Sequence, residues 1–222
     1  MQEFNSHIFN DDFSIADDIH ISGTTSALGT LRAFSITSEK ELIVNSNLES
    51  TKGSIRVNSS LKIGKNLISA KDIVVKGSCI VAGNIKGDKI RFIGSSLKAN
   101  SIKARTIALW GNIDIQNDLN ASEYIWIPLN PRKTEVEIKG VIKAPKVTIS
   151  FIGFFSKWLL LPDILFNKLN MKTRMKKAFL IKNLTIRAQE LIIQTHYPSE
   201  RVDVEFIDCD INTPNIIFEQ FK

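Results

Sequence analysis

The sequence predicts an all-β fold, a right-handed parallel β-helix of about 17 residues per coil, interrupted by a helical insertion rich in aromatic and basic residues. Three observations lead there. Segments opening on Gly77, Gly94 and Gly111 follow one another at equal intervals of 17 residues. Within them apolar residues recur two positions apart, which is the alternation of a half-buried strand and not the stripe of a helix. Between the apolar pairs stand Gly, Asn, Ser and Lys, which suit tight corners.

Taken in order, the first 28 residues show no repeat, and Asp11, Asp12, Asp17 and Asp18 read as terminal solvation or capping. GTLRAFSIT at 29–37 is a weak instance of the motif, and SNLESTKGSIRV at 46–57 is a clearer one with a slip in register. SLKIGKNLISAKDIVVK at 60–76 keeps the spacing through Ile68, Ala70, Ile73 and Val75. In the three best copies, Ile85, Ile102 and Leu119 form one expected interior ladder, while Gly87, Ala104 and Ala121 mark a narrow inner corner where a larger side chain would overpack. Ile90, Ile107 and Tyr124, then Phe92, Leu109 and Trp126, supply further inward positions. One residue beyond lie Ile93, Trp110 and Ile127, an expected outer apolar stripe to be covered by the chain itself or by another protomer. After the spacer PLNPRK, the motif returns at Ile142, Ala144, Val147 and Ile149, and a last echo follows at 182–193.

The chain therefore reads as one elongated domain over 1–222, with regular coils at about 29–150, an insertion at about 151–181 and terminal strands or a cap at about 182–222. A left-handed hexapeptide helix is the nearest competitor. Its coil sums six-residue repeats to about 18, whereas the recurrence here is 17 with no persistent apolar residue every six.

The insertion, FIGFFSKWLLLPDILFNKLNMKTRMKKAFLI, predicts a helix from Pro162 and Asp163 onward. Lys157, Lys168, Lys172, Arg174, Lys176 and Lys177 against Asp163 alone give it a charge of +5, most of the +6 excess of the chain. With Phe154, Phe155 and Trp158 these cations form a candidate membrane or partner surface, aromatic residues entering the headgroup region and lysines meeting anionic lipid. The plainer alternative is a segment packed along the β-helix or capping its lumen. A nucleic-acid partner is disfavoured because no reading motif accompanies the charge. Lys86, Lys103 and Lys143 form a thin outward basic ladder, read as a solvated face.

The sequence makes no case for chemistry. Cys79 and Cys209 are far apart and read as reduced thiols, and His7, His20 and His196 lack ligand spacing. No G-x-S-x-G elbow, phosphate loop or dinucleotide fingerprint occurs, so no catalytic, cofactor or metal residue is assigned. The N-terminus lacks the basic and apolar pattern of a secretory signal, and no apolar run is long enough to span a bilayer, so a cytoplasmic location is expected.

The run from about 46 to 149, with its phrases GNIKG, NSIKA, NDLNA and GVIKA, resembles the bactofilin family of polymer-forming bacterial cytoskeletal proteins. The resemblance implies a right-handed β-helical core, end-to-end assembly into nonpolar filaments, association with the inner face of the membrane and a nonenzymatic role as a scaffold. The long aromatic and basic interruption after Gly153 departs from that family's compact core. Two other readings stand beside the scaffold: a solitary β-helical module that binds lipid or protein, and a β-helical acyltransferase or glycan-active enzyme.

Overall fold

The computed structural model describes residues 1–129, 135–151, 177–195 and 202–220. Among them every regular element is a strand, and all the pairings between strands are parallel, giving a β-solenoid of about eight turns spaced about 18 residues apart. Each turn has three faces. The first turn is β1 (Gln2–Phe4), β2 (Ile8–Phe9) and β3 (Phe13–Ser14), and the second is β4 (Ile19–Ile21), β5 (Thr25–Ala27) and β6 (Leu31–Ala33). The third is β7 (Ile36–Ser38), β8 (Leu42–Val44) and β9 (Leu48–Ser50); the fourth is β10 (Ile55–Val57), β11 (Leu61–Ile63) and β12 (Leu67–Ser69). β13 (Ile73–Val75), β14 (Cys79–Val81) and β15 (Asn84–Lys86) complete the fifth. From there the strands run unbroken around corners as β16 (Lys89–Ala99), β17 (Ser101–Ile115) and β18 (Leu119–Leu129).

Three lumen ladders follow from the register. On the first face Ile19, Ile36, Ile55, Ile73, Ile90, Ile107 and Ile125 stand one above another. The second face stacks Leu42, Leu61, Cys79, Leu97 and Ile113. The third stacks Leu48, Leu67, Ile85, Ile102 and Leu119, which includes the ladder expected from sequence. Nearly all these side chains are fully buried. Burying one Leu or Ile is worth about 1.5–3 kcal/mol, so the continuous ladders are the main source of stability. The six-residue beat is present after all: Leu61, Leu67, Ile73, Cys79 and Ile85 point inward from consecutive faces. It is masked in the sequence because the second inward residue of each strand varies among Ala, Ser, Val and Ile.

The corners are held by polar side chains. Asn66 Nδ2 donates to Asn47 Oδ1 at 3.2 Å, Asn100 Nδ2 to Asn84 Oδ1 at 2.9 Å and Asn117 Nδ2 to Asn100 Oδ1 at 2.7 Å, an amide ladder of the kind that stacks well along parallel strands. The buried hydroxyls of Ser50 and Ser69 reach the Gly53 carbonyl at 2.8 and 3.0 Å, so these small lumen-side residues satisfy a corner backbone group. Gly77, Gly94 and Gly111 form a stacked corner too close for a side chain. A Cβ on Gly94 would lie 1.9 Å from the Gly77 carbonyl oxygen, and one on Gly111, at φ 114°, would lie 2.0 Å from that of Gly94.

The structure corrects the sequence reading in three places. Regular coils begin at Gln2 and not near residue 29; the strands of the first turn are only two or three residues long, and Asp12 and Asp18 stand at its corners. Between Leu67 and Ile85 the turn is one residue longer than 17, so Leu67 takes the lumen and Ile68 lies outward beside Lys86. Between Ala121 and Tyr124 there is one more residue than between Ala104 and Thr106, and the register shifts accordingly. Ile125 and Ile127 then fill the lumen while Tyr124 and Trp126 turn outward.

β19 (Val136–Ile138) and the start of β20 (Val141–Phe151) complete the eighth turn, and β21 (Lys177–Lys182), β22 (Thr185–Thr195), β23 (Val202–Ile207), β24 (Asp210–Asn212) and β25 (Asn215–Gln220) follow. β20 pairs directly with β22 from Val141 opposite Thr185 to Phe151 opposite Thr195, so two faces continue across the intervening residues. β21 and β23 form a separate parallel pair. The predicted helix at 162–176 lies outside the described residues, and Lys177–Ile181, assigned to the insertion by composition, belong to strand β21.

Leu109 points into the lumen with no exposed surface. Leu109→Ala is expected to lower unfolding stability by about 2–5 kcal/mol, whereas Thr106→Ala on the outer side of the same strand changes it by less than about 0.5 kcal/mol. Denaturant titration of the two variants checks this; equal losses would mean that the strand is not half-buried in this register.

Candidate functional site

The outer surface of turns six to eight carries two grooves, on either side of one corner. The corner is an ion-paired ridge. Arg105 Nε and Nη2 donate to Asp88 Oδ1 and Oδ2 at 2.8 and 3.0 Å, and Arg105 Nη1 donates to Glu123 Oε2 at 2.9 Å. The Arg105 hydrogen bonds hold the Asp88 carboxyl below its usual range, and Asp88 in turn raises the Arg105 guanidinium. Because the Asp88 value is depressed on folding, its contribution to stability is present above the ordinary carboxylate range and fades as pH falls through the lowered value. Both groups are solvent-exposed, so the ridge acts mainly as local geometry and charge neutralisation.

On one side of the ridge is a basic groove of about 530 Å³. Lys86, Lys103, Asn120 and Lys143 are consecutive register partners along its length, and Gly87, Ala104 and Ala121 line its shallow side. This is the basic ladder expected from sequence. Its three lysines form no ion pair among the described residues, since the nearby Asp88 and Glu123 are engaged by Arg105.

On the other side is an aromatic basin of about 550 Å³ on the first face. The register lays out its outward positions as a grid. Lys89, Arg91 and Ile93 come from the sixth turn, Thr106, Ala108 and Trp110 from the seventh, and Tyr124, Trp126 and Pro128 from the eighth. Ala108 lies at the centre, flanked by Arg91 and Trp126 on the neighbouring strands. A small residue ringed by large ones makes a depression on a surface that is otherwise flat. Trp110 and Trp126 meet edge to face with ring centroids 6.0 Å apart. Trp126 Nε1 donates to Ser150 Oγ at 2.7 Å, Ser150 Oγ to Gln194 Oε1 at 2.9 Å and Gln194 Nε2 to Glu219 Oε2 at 3.0 Å, a chain of bonds that fixes the indole along the face.

Of the stripe predicted from sequence, Ile93 and Trp110 are register partners, 43 % and 42 % exposed, and both line the basin. Ile127 is 1 % exposed and belongs to the lumen, because the extra residue after Ala121 reverses the inside and outside of β18. Tyr124 and Trp126, read as lumen residues under a strict 17-residue register, are basin residues for the same reason. Ala108 was not singled out by sequence, and the signal that marks it is a small residue between outward positions occupied by Arg and Trp. Phe154, Phe155, Lys157, Trp158, Lys168, Lys172, Arg174 and Lys176 lie outside the described residues, and Lys177 opens β21.

The two ends of the solenoid differ. At the N-terminal end one phenylalanine from each strand of the first turn converges on the axis. Phe4 and Phe9 are 5.0 Å apart by ring centroid, Phe9 and Phe13 4.5 Å, and His7 meets Phe9 edge to face at 4.4 Å. At the C-terminal end Ile216 and Phe218 continue the lumen ladder above Leu191 and Ile193, yet they are 45 % and 51 % exposed because no described strand pairs with the outer edge of β25. The ladder residues beneath them have no exposed surface.

His7 belongs to the aromatic plug, and no group of three or more His, Cys, Asp or Glu converges in metal-binding geometry among the described residues. No known protein family, curated protein or solved structure matches the chain.

Cys79 sits in the second-face ladder, and burial pushes its thiol up to about 12. Cys209 is half-buried, with Sγ 3.4 Å from the Ile181 and Ile207 carbonyls. Iodoacetamide at pH 8 is expected to modify Cys209 in the native protein and to reach Cys79 only after unfolding, since the reactive species is the thiolate. Peptide mapping of the labelled protein reads this directly, and labelling of Cys79 at the rate of Cys209 would place it outside the lumen.

Proposed function

We propose that the protein is a nonenzymatic scaffold that self-associates through its C-terminal turn. The observation that carries this reading is the half-exposed pair Ile216 and Phe218 on the lumen axis, on a strand of six residues whose outer edge has no partner among the described residues. An edge of that length with apolar residues at lumen positions is a template for another strand. A second copy meeting it about a twofold axis would bury the same residues from both chains and extend the hydrogen-bonded stack. The N-terminal end offers much shorter strands of two or three residues over a phenylalanine plug, a poorer template.

The resemblance of residues 46–149 to bactofilins supports the same reading, since that family consists of polymer-forming scaffolds. The concentrated +5 charge with aromatic residues at 151–181 supports a place for the scaffold at an anionic membrane surface. A cytoplasmic site on the inner face of the membrane fits both. The flanks also favour a binding role over catalysis, because their grooves present lysines, an alanine floor and indoles in place of convergent acid and base groups.

Sedimentation velocity over a wide range of concentration and salt, with and without anionic vesicles, tests the proposal. The wild-type protein is expected to form a dimer whose population rises with concentration and to co-sediment with the vesicles. The double substitution Ile216→Lys and Phe218→Lys is expected to reduce assembly at least tenfold, by about 1.4 kcal/mol or more per contact, without lowering the melting temperature of the core. A wild-type protein that stays monomeric throughout would overturn it.

A further inference from the structure

We propose that the basin over Ala108 is a binding site for a small organic anion in which a planar ring is separated from its negative group by a sugar-sized spacer, a nucleoside monophosphate being the simplest such molecule. The site stands apart from the ends that carry self-association, and the inference does not rest on that reading.

The first argument is shape. At about 550 Å³ the basin falls within the range of sites for small ligands, roughly 300–1,000 Å³. Its floor is the single methyl group of Ala108, and its walls are the large outward residues on the strands to either side. The second argument is the division of chemistry between the walls. Tyr124 and Trp126 on the eighth turn and Trp110 on the seventh offer aromatic surface on which a flat ring can stack. Lys89 and Arg91 on the sixth turn supply positive charge, both are exposed, and neither forms an ion pair among the described residues. Arg105, the third cation at the rim, is already held by Asp88 and Glu123 and adds no free charge.

The third argument is distance. The aromatic wall on β18 and the cationic wall on β16 are separated by β17 alone, which is two strand spacings, or about 10 Å. A simple aryl carboxylate, with its charge directly on the ring, is too short to stack on one wall and reach the other. A ring, a sugar and a phosphate in sequence span the gap, with the sugar over Ala108 and the phosphate at the Arg91 fork, whose planar donors suit a phosphate.

The test is tryptophan fluorescence and calorimetric titration of the full chain with adenosine, guanosine, cytidine and uridine monophosphates, with the corresponding nucleosides and with inorganic phosphate. Saturable binding of at least one monophosphate is expected, about tenfold tighter than its nucleoside and much tighter than phosphate alone. Ala108→Glu, which fills the floor from the outer side and adds a like charge, is expected to weaken that binding at least tenfold with an unchanged melting temperature. Arg91→Gln, at an exposed position, keeps the test open should the first variant fold poorly; it is expected to remove the preference for monophosphate over nucleoside. Absence of saturable binding by all four monophosphates at millimolar concentration would overturn the proposal. So would binding that is unchanged in both variants, or binding confined to a single-stranded oligonucleotide.

Discussion

Every property of this molecule depends on the parallel register between one turn and the next. A single turn of three short strands leaves its backbone donors and acceptors open on both edges, and only the turns above and below close them. The same register that pairs Ile85 with Ile102 and Ile102 with Leu119 also stacks their side chains, so hydrogen bonding and apolar burial reinforce one another at each step. The outward residues take no part in that coupling and are free to differ from turn to turn. That freedom is what allows Arg91, Ala108 and Trp126, three unlike residues in register, to form a basin on an otherwise regular wall.

The corners show how the lumen tolerates polar groups. Ser50 and Ser69 occupy inward positions where a larger apolar residue would crowd the bend, and their hydroxyls answer the backbone carbonyl of Gly53. The asparagine ladder from Asn47 to Asn117 does similar work on the outside of another corner. Where the stack stops, the same physics leaves a surface. At one end three phenylalanines fill the lumen cross-section, while at the other Ile216 and Phe218 stand in ladder positions with no described strand paired above them.

The fold was legible because alternation and repetition are direct consequences of period-two strands stacked in register. The third-face ladder and the small corner at Gly87, Ala104 and Ala121 could be read from spacing alone. Two single-residue changes in turn length, before Ile85 and after Ala121, could not. A one-residue slip exchanges the two faces of a strand, and the apolar character of Ile68, Tyr124 and Trp126 gave no warning that they face outward. The basin is hidden for that reason, since a strict 17-residue register puts both aromatic residues of its β18 wall, Tyr124 and Trp126, in the core. The coils of the first 28 residues are hard to read from sequence because Asp12 and Asp18 serve as corner acceptors, for the Thr30 amide and the Ser35 hydroxyl, and the strands of the first turn are only two or three residues long.

The account turns on the placement of β18, which decides both the lumen and the basin. Single cysteines introduced at positions 124, 125, 126 and 127, with modification rates measured in the native protein, test that placement most directly. Fast reaction at 124 and 126 with protection at 125 and 127 is the predicted result. Protection at 124 and 126 with fast reaction at 125 and 127 would restore the uniform 17-residue register and remove the basin.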